Sequence, residues 1–158
     1  MAIAPLHHLA FKVECIDRAV AALTAIGWQA ERIETYPDLS LRIAFVPCGA
    51  VVLELLQALD PSCPVSSDPL GFHHLAVSAQ ADASQAPPPE GLRPLGPARQ
   101  GAHGFPIRFF ELPLGAKNPL RVEQVYHLIH AKDSPPHPTL SASSSGGAPC
   151  LDPSKSPQ

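Results

Sequence analysis

The amino-acid sequence predicts an α+β fold of two βαβββ modules, the second with a degenerate helix. Three observations lead there. The strand-like stretch Pro5-Leu6-His7-His8-Leu9-Ala10-Phe11-Lys12-Val13 returns as Gly71-Phe72-His73-His74-Leu75-Ala76-Val77-Ser78-Ala79, with His7 and His73 66 positions apart. An apolar run closing each half carries a single carboxylate, Glu54 in the first and Glu123 in the second, 69 positions apart. Upstream of these, Ile43-Ala44-Phe45-Val46 before Gly49 is echoed by Ile107-Arg108-Phe109-Phe110 before Gly115. Recurrence at a nearly constant offset is the mark of a duplicated unit.

The elements follow in order. Residues 6–13 read as a buried strand. A helix follows, with Asp17 as the expected N-cap, Ala19, Val20, Leu23 and Ile26 at helical spacing, and Gly27 as the stop. Residues 28–33 read as a second strand, Pro37-Asp38 as a turn, and residues 39–46 and 50–56 as a hairpin joined through Pro47-Cys48-Gly49. Residues 58–70, rich in Asp-Pro pairs, form a linker. The second module opens with a strand at 72–78. Its helix would start near Ala81, but Pro87-Pro88-Pro89 cannot continue one, because each proline lacks an N–H and clashes with the preceding turn. Residues 92–95 read as a remnant strand, and residues 106–112 and 119–125 as the closing strands. The modules span residues 5–57 and 71–127 within one domain, 1–130. Residues 131–158, rich in Pro, Ser and Gly, are expected to be a disordered tail.

A hydrophobic content of 45% supports a core, and a net charge of −3 leaves no basic footprint for nucleic acid. No apolar run approaches the ~20 residues of a spanning helix, and the N-terminus lacks the basic and apolar regions of a secretory signal. Cys15, Cys48, Cys63 and Cys150 show no paired spacing. Reduced thiols in a cytoplasmic protein are therefore expected.

Side chains alternate faces along a strand, so only one His of each pair can share an interior with the Glu residues. The residues alone do not choose which. Taken singly, each His reads equally well as a satisfied core histidine, and Glu54 as a carboxylate paired with Arg42 or Arg121. The repeated set is the stronger signal. Burying four such groups unpaired would cost several kcal/mol each as ions. Two imidazoles and two carboxylates suit a divalent ion such as Co, Ni, Mn, Zn or Fe.

Two such modules, a His on each first strand and a Glu on each last strand, resemble the vicinal-oxygen-chelate superfamily of glyoxalase I, extradiol dioxygenases, bleomycin-resistance proteins and methylmalonyl-CoA epimerase. Gly101-Ala102-His103-Gly104, Leu41-Arg42-Ile43-Ala44-Phe45-Val46 and Val52-Leu53-Glu54-Leu55-Leu56 are most similar to the epimerase segments. The resemblance covers about residues 5–127. It implies His8, Glu54, His74 and Glu123 as metal ligands, choosing the second His of each pair, with Glu54 and Glu123 as the groups that move a proton. Arg42, His103 and Arg108 are candidate substrate contacts. The implied function is a metal-dependent isomerase or lyase using enolate chemistry on a carbonyl or acyl-CoA substrate, epimerase-like or glyoxalase-like, with pairing as a homodimer. The alternative is a metal-free small-molecule binding protein of the same fold, like the bleomycin-resistance proteins. An extradiol dioxygenase fits less well, since its iron takes two His and one carboxylate.

Overall fold

In the computed structural model, residues 4–80, 87–102, 104–114 and 119–127 are described. The chain runs β1 (Leu6–Lys12), α1 (Ile16–Ala25), β2 (Arg32–Tyr36), β3 (Leu41–Cys48), β4 (Val51–Ala58), β5 (Gly71–Ala79), β6 (Arg93–Pro94), β7 (Arg99–Gln100), β8 (Pro106–Leu112) and β9 (Leu120–Tyr126). One mixed sheet has the order β2-β3-β4-β1-β5-β9-β8-β6, with β7 paired to β8. The duplication is written in its pairing. Each module's first strand lies parallel to its last, β1 to β4 and β5 to β9, and the two first strands pair antiparallel at the centre.

Helix α1 covers one face. Ile16 packs with Ala44, Val46 and Leu55, joined by Ala19, Val20 and Leu23. The helix ends as Gly27 requires: Gly27 takes φ +93°, its N–H bonds to the Thr24 carbonyl, and the Trp28 N–H bonds to the Leu23 carbonyl. That use of Trp28 explains why β2 starts at Arg32 rather than at residue 28: the first residues after the helix complete its last turn. Asp17 is not the N-cap. Cys15 holds that position, and the Gln57 side chain on β4 accepts from the Ile16 N–H at 2.8 Å.

The opposite face is lined by Ala10, Leu41, Ile43, Phe45 and Leu56 in the first module, and by Ala76, Ile107 and Val125 in the second. The sheet curls towards it. Its ends are tied across the cleft, where the Ala102 carbonyl accepts from Tyr36 at 3.1 Å and from Arg32 at 3.2 Å. Lys12, nearly buried, donates to the carbonyls of Ser66 and Asp68 and fixes the linker over one end.

The expected loss of the second helix falls partly on residues 81–86, which lie outside the described residues. Residues 87–100 form no helix. They run instead along β8, where Arg93 stands opposite Glu111, the Leu95 N–H reaches the Phe109 carbonyl at 2.9 Å and Arg99 stands opposite Ile107. The tail assigned to residues 131–158 also lies outside the described residues. Cys48 and Cys63 are free thiols. Cys15 is disulfide-bonded, which departs from the expectation of reduced thiols throughout. No helix among the described residues is long and apolar enough to cross a membrane.

Candidate metal centre

The sheet register builds the site. Ala10 stands beside Glu54 on β4 and beside His74 on β5, giving a lateral row Glu54–Ala10–His74. Ala76 stands beside His8 on β1 and beside Glu123 on β9, giving a second row, His8–Ala76–Glu123. The two rows are copies related by the duplication. Both alanines have no exposed surface. Their methyl groups leave room above for four longer side chains to lean together. His-x-Ala in each first strand therefore puts imidazole and alanine on one face. This signal, present in His8-Leu9-Ala10 and His74-Leu75-Ala76, decides which His of each pair turns inward, and sequence reasoning did not use it.

His8, Glu54, His74 and Glu123 are all buried and offer ligand atoms that lie within 4.8 Å of one another. His8 Nε2 is 3.1 Å from His74 Nε2 and 3.2 Å from the Glu54 carboxylate. His74 Nε2 is 2.6 Å from the Glu123 carboxylate. The electrostatics are uneven. Burial pushes the Glu123 carboxyl up to about 8, helped by the neighbouring Glu54 charge. Burial pushes Glu54 the same way, but its hydrogen bond with His8 and the nearby imidazoles outweigh this and hold it low. Burial takes His74 down to about 3.

The residues fit a divalent ion on two grounds. The donor set is two imidazole nitrogens and two carboxylates, suited to a first-row ion. In addition, the Glu123 Oε1 atom is buried without a hydrogen-bond partner. A buried carboxylate oxygen left so would be costly, and a cation between the rows would satisfy it.

The outer histidines support the inner ones. His7 Nδ1 lies 2.8 Å from His8 Nδ1, and His73 Nδ1 lies 2.8 Å from His74 Nδ1. On the second side the chain of contacts continues, with His73 Nε2 at 2.9 Å from Asp68 and Arg121 at 3.1 Å from the same carboxylate. Arg121 also lies 2.7 Å from His73 Nε2, so Asp68 and Arg121 together fix the His73 ring, which in turn orients the His74 ring from its Nδ1 side. Asp68, hidden in the linker, carried no sequence signal.

The other expected contacts fall elsewhere. Arg42 lies on the helix face and forms two bonds with Asp17, at 2.8 and 2.9 Å. Arg108 also points away from the cleft, with its guanidinium over the Phe110 ring and a bond to the Gly96 carbonyl at 3.2 Å. Strand parity accounts for both: Arg42 alternates with Ile43, and Arg108 with Phe109, and the latter of each pair faces inward. His103 lies outside the described residues. Arg42→Ala is therefore expected to cost roughly 1 kcal/mol or less, as for a partly exposed ion pair, and to leave metal content untouched. Paired denaturation and metal analysis would check it.

A family model described as glyoxalase/bleomycin resistance protein/dioxygenase superfamily matches residues 7–109. No curated protein matches the chain in sequence. Among solved structures, a methylmalonyl-CoA epimerase in complex with methylmalonyl-CoA and NH4+ is similar at 21% identity and a TM-score of 0.66, covering 79% of this chain and 95% of that one. Methylmalonyl-CoA epimerase from Mycobacterium tuberculosis is similar at 22% identity and 0.65, covering 80% and 91%. A Streptomyces coelicolor methylmalonyl-CoA epimerase in complex with 2-nitronate-propionyl-CoA is similar at 22% and 0.67, covering 85% and 100%.

Proposed function

The chain belongs to the glyoxalase/bleomycin resistance protein/dioxygenase superfamily, and from that premise we infer that it is a metal-dependent isomerase or lyase acting on a small carbonyl or acyl-thioester substrate. The observation that carries this reading is the pair of His–Ala–Glu rows converging on one buried point, with a Glu123 oxygen left without a partner. A pocket meant only to sequester an apolar ligand would gain nothing from burying that set.

His8, Glu54, His74 and Glu123 would hold the ion. When bound, a divalent ion supplies Lewis acidity that stabilises negative charge developing on a carbonyl oxygen. The chain's own carboxylates supply the proton chemistry. Glu54 and Glu123 are the groups that take the proton from the carbon next to the carbonyl and return it. They stand on β4 and β9, on opposite sides of the His pair, which suits removal from one face of a carbon and return to the other. The sharpest form is epimerisation of an acyl-CoA thioester, as the similar solved structures suggest. A homodimer in the cytoplasm belongs to the same reading.

Metal analysis of protein purified without chelator, coupled to exchange of the α-hydrogen of methylmalonyl-CoA in heavy water, tests it. Metal near one per chain with exchange is expected. Metal without exchange would discard the epimerase form and keep the carbonyl class, with a hemithioacetal the next substrate. A chain that neither holds metal nor binds it on addition would overturn the catalytic reading in favour of a binding protein.

A further inference from the structure

A cavity of about 420 Å³ opens to solvent, with His73 and Phe109, both in contact with His74, between it and the four buried groups. Its walls include His73, Phe109, Leu95, Pro97 and two guanidinium groups, Arg99 and Arg121. The two arginines differ. Arg121 is neutralised by Asp68. Arg99, on the two-residue strand β7, pairs with no carboxylate among the described residues. Its guanidinium lies over the Phe109 ring, 5.1 Å from the centroid. The Phe109 ring in turn meets the His74 ring edge-on at 5.2 Å. The unpaired cation thus stands one aromatic ring from the centre.

We propose that this cavity is an anion subsite, in which Arg99 binds a carboxylate or phosphate of the substrate while the substrate's carbonyl end reaches the four buried groups. The proposal rests on the reading above and narrows it to an anionic carbonyl compound. Several features converge on it. A guanidinium presents paired donors that match a carboxylate or phosphate edge to edge. Stacking on Phe109 holds that fork in place before ligand arrives, so less freedom is lost on binding. Arg99, Leu95 and Pro97 are exposed and Phe109 half-buried, so the guanidinium is open to a ligand arriving from solvent. The strand that carries Arg99 exists because the proline-rich segment lies along β8 where a helix was expected, so the departure from the repeat is what brings this cation to the cleft.

The test uses the full chain and two probes, malonate and inorganic phosphate, titrated calorimetrically into the metal-free and cobalt-loaded protein. Wild type, Arg99→Gln, Arg99→Lys and, as a control on the far face, Arg42→Gln are compared. Metal uptake is measured on each. At least one probe is expected to bind the metal-free wild type. Arg99→Gln should weaken it by about tenfold or more, the loss of a charge-assisted contact. Arg99→Lys should recover part of that, Arg42→Gln should bind as wild type, and all four should load cobalt equally. Preference for malonate identifies a carboxylate group, and preference for phosphate a phosphorylated one such as a nucleotide tail. Equal binding by wild type and Arg99→Gln overturns the subsite, as does binding only through the metal. If wild type binds the anion but takes up no metal, the subsite stands and the metal reading fails, so the two failures are distinguishable.

Discussion

His74→Ala is expected to lower metal affinity by at least ~100-fold and to abolish activity with it. Partners outside the ligand set already carry about 10–100-fold in metal affinity, so removing a ligand must exceed that. His74 makes the shortest contact in the cluster, 2.6 Å to Glu123, and it bridges the centre to His73 and Asp68. A graded series makes the expectation specific. His73→Ala leaves the four proposed ligands in place but frees the imidazole of His74 to rotate or change tautomer, and should cost about 10–100-fold. Bound metal is measured after equilibrium dialysis, with circular dichroism to confirm that each variant is folded. A His74→Ala protein that retains metal as wild type does would show that these four residues are not the site. A His73→Ala protein indistinguishable from wild type would leave the ligands standing and remove the supporting role of the outer histidines.

The repeated His-His-Leu-Ala stretch and the isolated Glu in each closing strand were legible because duplication doubles a signal that is weak once. Both modules, the hairpins, and the helix with its Gly27 stop could be read from pattern. Three things could not. Strand order is a matter of long-range pairing, and nothing local says that β1 and β5 meet antiparallel at the centre. Register followed from that pairing, and only register reveals that Ala10 and Ala76 form the floor between the rows. The face of a strand residue flips with one step of phase, which is why Arg42 and Arg108 read as candidates and then lie on the outer face. Arg99 was illegible for another reason. It sits in a stretch whose prolines mark broken structure, and its position depends on two-residue pairings that no periodicity reports.

The metal-free protein is expected to be most stable near pH 6.5 and to lose stability on both sides, and metal should erase the alkaline loss. Below 6.5 the cause is His74. Its folded value is lowered from 6.5 to about 3, so over that interval the unfolded chain binds a proton that the folded chain refuses, and stability falls as pH falls. His7, lowered to about 4 by burial and the neighbouring His8, adds in the same direction. Glu123 works the other way. Its folded value is raised from 4.5 to about 8, so the folded chain keeps a proton that the unfolded chain has lost, and stability falls as pH rises across that interval. Between 4.5 and 6.5 the terms oppose each other, and the histidines win by number. Between 6.5 and 8 only Glu123 among these three still titrates, giving a loss of roughly 2 kcal/mol. A bound cation replaces that proton, so metal uptake near pH 7 should release about one proton, flatten the alkaline limb, and add about 4 kcal/mol at a thousandfold excess over Kd. Glu123→Gln should flatten the same limb without metal, because the amide carries no charge to bury, yet should gain little on metal addition. Urea denaturation between pH 5 and 9, with chelator and with added ion, reads all of this in one set of curves. An alkaline limb that persists in Glu123→Gln would assign it to another group. Absence of the limb in the metal-free wild type would mean that the Glu123 carboxyl is already ionised at pH 6.5 before any metal binds.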